Sequence, residues 1–92
     1  MDETQVPTVA DILAITLEQY AELAWQNMGL RPNAFSQKLE THLPEAKLAI
    51  DAASALADLL IPRLDEEDRR QIQRLIADLR LNYVQRASAE AA

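Results

Sequence analysis

The 92-residue chain has no cysteine, one glycine, one histidine and only four aromatic side chains, Trp25, Phe35, Tyr20 and Tyr83. Without cysteine there is no disulfide framework, no thiolate metal site and no thiol nucleophile. One glycine leaves little turn chemistry, and the scarcity of aromatics leaves the apolar mass to Ala and Leu, which favours helices over strands. Basic charge is also short. Nine Lys and Arg against fifteen Asp and Glu give a net charge of −6, a sign that opposes general attraction to nucleic acid or an anionic membrane. No apolar run approaches the roughly 20 residues of a membrane span. The opening MDETQVPT lacks the basic and apolar regions of a signal peptide. These absences predict a soluble, cytoplasmic chain with room for one core.

What the chain does have is concentrated in Leu43–Leu60, LPEAKLAIDAASALADLL. Its polar residues Lys47, Asp51, Ser54 and Asp58 fall within a wedge about 60° wide at roughly 100° per helical residue. Every other position from Ala46 to Ile61 is Ala, Leu or Ile. A helix with so little polar surface needs other protein on most of its sides.

Around that stretch the spacing predicts three helices, over about 9–28, 43–61 and 65–87. Thr8 with Asp11 three residues on reads as an imperfect capping box at the start of the first, and Gly29 as its stop. Leu13, Leu17, Tyr20 and Ala24 centre its apolar face, flanked by Val9, Ile12, Leu23 and Met28, with Asp11, Glu18, Glu22 and Gln26 on the solvated side. Pro44 and Glu45 suit the first turn of the second helix, with Thr41 or His42 as cap, and Pro62 ends or kinks it. The third carries Asp65 to Asp68 at its start and Arg74, Arg80 and Arg86 later, an order that complements the macrodipole. Its core stripe is Ile72, Leu75, Ile76, Leu79 and Tyr83. Pro32-Asn33 signals a turn in the connector 29–42, which Leu30, Phe35 and Leu39 are expected to pin to the helices. The expected organisation is a single helical domain, 8–87, between a flexible N-terminus, 1–7, and a flexible tail, 88–92.

The fold class is therefore all-α, a three-helix antiparallel bundle or a hairpin-based helical oligomer. In a monomer, Ala46, Ile50, Ala53, Ala57 and Leu60 would face the core. Leu48, Ala52, Ala55 and Leu59 would then form an exposed apolar strip, the usual mark of an interface. Leu81 and Val84 make a smaller second patch on the third helix, and Ile15 and Trp25 interrupt or border the polar face of the first. These eight residues are the candidate interface. The expected assembly is a homo-oligomer, most simply a dimer.

Three runs in order carry a family likeness: Gly29-Leu30-Arg31-Pro32-Asn33, Ala46-Lys47-Leu48-Ala49-Ile50-Asp51 and Leu79-Arg80-Leu81-Asn82-Tyr83-Val84. With the spacing between them they resemble the small bacterial family called domain of unknown function 1844, over about Val9 to Ala87. The chain departs from the family pattern at Ala34-Phe35-Ser36-Gln37, where a Pro and a Gly are common, and at His42, where Asp or Asn is the usual cap. The resemblance implies a helical bacterial protein and supplies no catalytic residues.

Catalytic constellations are thin. One His near Glu40 and Glu45 is too few ligands for a metal site. Ser36, Ser54 and Ser88 have only His42 to serve them, which leaves no hydrolytic triad. The connector has no Gly-rich phosphate cradle. No catalytic, metal or cofactor-binding residue is assigned, and no cofactor is implied. Asp51 and Arg80, each beside an apolar stripe and each in a family-like run, are expected to pair and fix helix register. The leading expectation is a non-enzymatic interaction protein that forms a homo-oligomer and docks a partner protein. One alternative is an RNA- or ribonucleoprotein-associated regulator touching phosphates through Arg70 and Arg74, which share the outer face of the third helix near Arg63 and Arg69. Interleaved acids oppose that reading. The other alternative is an enzyme with an unrecognised carboxylate site.

Overall fold

The computed structural model describes residues 6–91; residues 1–5 of the expected flexible N-terminus, and Ala92, lie outside the described residues. Three helices form in the expected order: α1 (Val9–Asn27), α2 (Leu43–Leu60) and α3 (Glu66–Ala91). Thr8 caps α1 with a full capping box, its side chain accepting from the Asp11 N–H at 3.1 Å while the Asp11 carboxylate accepts from the Thr8 N–H at 2.8 Å. Asp65 caps α3, accepting from the Asp68 N–H at 2.8 Å. Pro62 does not end α2 abruptly. It sits in a single 3-10 turn, Ile61–Arg63, that leads towards α3, where a missing N–H costs little. At its far end α3 runs to Ala91, beyond the expected end at 87, because Ala and Glu continue a helix and no breaker follows Ala87.

The connector folds back as a small hairpin. Met28 and Thr41 form an isolated antiparallel bridge, and the His42 N–H donates to the Asn27 carbonyl at 2.7 Å. That bond holds the end of α1 level with the start of α2, so the two helices run antiparallel. Gly29 makes the stop with φ +76°, and a Cβ added there would lie 2.5 Å from Thr41 Oγ1 and 3.1 Å from the Arg86 guanidinium. Gly29→Ala is therefore expected to cost about 1–2 kcal/mol for the left-handed backbone alone, with the displaced Thr41 adding to it. A urea titration checks this; an unchanged midpoint would mean that the loop relaxes freely.

Alanine sets the packing. Ala46, Ala49, Ile50, Ala53, Ala57 and Leu60 of α2 are buried against Leu17, Ala21, Ala24 and Met28 of α1 and Ile76 and Leu79 of α3. The five α2 positions expected in the core are all there. On α1 the expected face is rotated: Tyr20, Val9, Ile12 and Leu23 are exposed, while Ala21 is buried. Small side chains on both helices let the backbones approach, and this contact is made at the cost of leaving larger side chains outside. Gln26 is a further correction, only 8% exposed although expected on the solvated side. Its Oε1 accepts from the Ala34 N–H at 3.1 Å, tying the connector to α1.

α1 packs along one flank of α2 and α3 along another, with much less contact between α1 and α3. The result is open for its length. Its radius of gyration is 14.8 Å, against about 12 Å for a compact domain of this size.

Candidate interaction surface

The side of the α1–α2 hairpin turned away from α3 is apolar. Leu48 and Leu59 of α2 are 65% and 64% exposed, Ala55 is exposed and Ala52 half-buried. Val9, Ile12, Tyr20 and Leu23 of α1 are exposed beside them. Tyr20, Leu23 and Asn27 meet Glu45, Leu48 and Ala49 in one hollow of about 170 Å³, so the two helices present a single face. Hydrophobic spacing places the α2 half of this face outside and its α1 half in the core, and the α1 half is instead exposed. Alanine ranks low on hydrophobicity, so periodicity alone favoured burying Tyr20 and Leu23.

The other candidate interface residues lie elsewhere. Leu81 and Val84 are exposed on α3, and Val84 borders a cleft of about 250 Å³ with Lys47, Ile50, Asp51, Arg80 and Tyr83. Ile15 is exposed but, on the helical wheel, lies about 100° from the centre of the hairpin face. Trp25 is half-buried against the core, with the Arg31 guanidinium 5.8 Å over its ring and Arg31 also paired with Glu22. Covered in this way, Trp25 does not belong to the surface.

Asp51 and Arg80 line the same cleft but make no ion pair. Lys47 takes Asp51, donating at 2.8 Å one helical turn away, and Arg80 donates to Ser54 Oγ at 2.6 Å. An i, i+4 partner on the same helix needs no interhelical reach, so it captures the carboxylate. The hydrogen bond to Asp51 holds the Lys47 ammonium above its ordinary pKa. Register between α2 and α3 is marked instead by Arg80–Ser54 and by Arg86 donating to Thr41 Oγ1 at 3.4 Å.

His42 stands at the α2 cap position without a capping bond from its side chain, and its Nε2 lies 3.1 Å from Glu40. Hydrogen bonds from Ser36 and then His42 hold the Glu40 carboxyl below its ordinary value. Any stability this exposed group contributes is therefore present above the ordinary carboxylate range and lost as pH falls through the lowered pKa. Among the described residues, no three His, Asp or Glu side chains converge as metal ligands. On α3, Arg70 is spent on Glu66 at 2.8 Å, and Arg74 shares a shallow surface with Glu66 and Glu67. Carboxylates thus compete with phosphate at both candidate arginines.

The connector carries one feature that the sequence reading placed wrongly. Leu30, Phe35 and Leu39, expected to pin the connector, are all exposed, Phe35 at 95%. The turn beneath Phe35 is held from inside: Asn33 Oδ1 accepts from the Phe35 and Ser36 N–H groups, the Gln37 N–H donates to the Asn33 carbonyl at 2.8 Å, and Gln37 takes φ +61°. An Asx turn satisfied by its own backbone needs no apolar anchor in the core.

The sequence profile of the family Domain of unknown function (DUF1844) matches residues 13–85. The chain belongs to this family. Its matched span takes in most of α1, the connector, α2 and most of α3. No curated protein and no solved structure matches the chain significantly. Among the described residues of this DUF1844 chain, no helix is long and apolar enough to cross a membrane.

Proposed function

We propose that this DUF1844 protein is a non-enzymatic interaction protein that works as a homo-oligomer and docks a partner protein. The hairpin face carries the reading. Large apolar side chains stand exposed along both α1 and α2, among them Val9, Ile12, Tyr20, Leu23, Leu48 and Leu59. The accessible surface supports it in magnitude: 6528 Å² against roughly 5,400 Å² for a compact monomer of this mass. That excess is of the same order as the ~800 Å² each partner contributes to a standard interface. Phe35, on its preformed turn outside the hairpin face, is the natural anchor for a partner protein, since a rigid aromatic loses little entropy on docking.

Multi-angle light scattering at micromolar concentration tests the assembly. The expected result is a dimer or a larger closed oligomer whose melting temperature rises with concentration. A monodisperse monomer would overturn the reading.

A further inference from the structure

The hairpin face has the same residue spacing in both directions. On α2 its residues are Leu48, Ala52, Ala55 and Leu59, with leucines at the ends and alanines in the middle. On α1 they are Val9, Ile12, Thr16, Tyr20 and Leu23, centred on Thr16, whose hydroxyl is spent on the Ile12 carbonyl at 2.8 Å. Each list is symmetric in spacing about its own midpoint, and on α2 in residue type as well; on α1 Val9 stands opposite Leu23 and Ile12 opposite Tyr20. The midpoints also coincide in height. Counting from the Asn27–His42 bond at equal rise, about eleven residues back along α1 and about eleven forward along α2 reach Thr16 and the Ala52–Ala55 pair.

We infer that the partner on this face is a second copy of the chain, related by a two-fold axis that crosses the hairpin between Ala52 and Ala55 and beside Thr16. This rests on the oligomeric reading above and specifies its geometry. An isologous interface requires a self-complementary patch, and a pattern symmetric about one level in both helices supplies it. The axis lies in the plane of the contact and across the helices, so α2 meets α2 and α1 meets α1, each pair antiparallel. Leu59 of the second copy then reaches the hollow of Tyr20, Leu23 and Leu48, and Ile12 meets the second copy's Tyr20. Ala52 and Ala55 at the axis let the two α2 helices approach closely. The four helices of two hairpins become a bundle with both α3 helices outside. Charge at the rim follows the same axis: Glu45 and Arg63, neither of them ion-paired among the described residues, flank the α2 midpoint almost equally and would meet across the edge. The apolar face runs about 21 Å along α1 and about 17 Å along α2 and is roughly 20 Å wide for two adjacent helices; with the Glu45 and Arg63 rim, about 27 Å apart, it approaches the size of a stable dimer patch once its ridges are counted.

The absence of native cysteine makes thiol mapping clean. In the full-length chain, Ala55→Cys is expected to cross-link to itself with a short bis-maleimide. Leu48→Cys and Leu59→Cys mixed together should cross-link to each other, and Leu48→Cys alone should not. Leu48→Asp, at an exposed position, should give a folded monomer with unchanged helical circular dichroism. Self-cross-linking of Leu48→Cys in place of the mixed product would overturn this axis while leaving the oligomer. A dimer that survives Leu48→Asp and cross-links only through Leu81→Cys or Val84→Cys would move the interface to α3 and overturn the proposal. A wild-type monomer would remove both the proposal and the oligomeric reading.

Discussion

Leu17→Ala is expected to be the most damaging single truncation, lowering stability by about 3 kcal/mol within the usual 2–5 kcal/mol for a buried leucine. Leu17 has no exposed surface and lies within the cluster shared by α1, α2 and α3. The same cluster contains the alanines at 21, 24, 46, 49, 53 and 57. Alanine has no side-chain torsion with which to swing into a vacated space, so the cavity stays largely open and the loss is not recovered by repacking. For a domain with about 5–15 kcal/mol in total, this is a large fraction. A fall in melting temperature on the order of 15 °C follows from the usual 4–8 °C per kcal/mol for domains of this size. The measurement is a thermal melt at fixed protein concentration, since assembly shifts the midpoint by mass action. Ile15→Ala, on the same helix but exposed, serves as the reference and is expected to move the midpoint little. Equal losses for the two would show that burial in this core does not set the stability of α1, since alanine is the better helix former at both positions.

Much of this fold is legible in the sequence because α2 has so few ways to be placed. Four polar residues in a narrow wedge assign every other position to a buried or interfacial side, and the five positions given to the core are buried. The capping box at Thr8 and the glycine stop at Gly29 bounded α1 for equally local reasons. What local chemistry did not specify is rotation. α1 has apolar residues over more than half its circumference, and choosing among faces by hydrophobicity favours Tyr20 over Ala21. Close helix approach favours Ala21, and that is a property of two helices together. The Asp51–Arg80 pairing failed for a related reason: matching charges on two helices says nothing of Lys47, already within reach on the same one. Gln26 was unreadable because its partner, the Ala34 N–H, belongs to a turn whose shape depends on Asn33 and Gln37. The α1 half of the hairpin face was hidden by the same choice of rotation, and its symmetry about Thr16 is visible only once those residues are seen outside.

Ala53→Leu tests the alanine seam from the opposite direction. Ala53 has no exposed surface and sits midway along α2, in the cluster it shares with Leu17, Ala21 and Ala24. Leucine has nearly the same helix propensity as alanine, so a substitution there changes volume and little else. Three added carbons cannot be accommodated by rotating neighbours that are themselves alanines, so the two helices must separate. Overpacking of this kind costs typically 1–3 kcal/mol, occasionally more. The upper part of that range is expected here because separation loosens the whole seam rather than one contact. Ala89→Leu, at an exposed position near the end of α3, adds the same atoms and is expected to change stability by no more than about 0.5 kcal/mol. Chemical denaturation of both variants distinguishes the cases. If Ala53→Leu were as mild as Ala89→Leu, α1 and α2 would not be held at close approach, and the physical reason given for the rotation of α1 would be wrong. If it is severe, the seam accounts for the exposure of Val9, Ile12, Tyr20 and Leu23: the contact that buries alanine is the one that leaves these larger side chains for a second chain to cover.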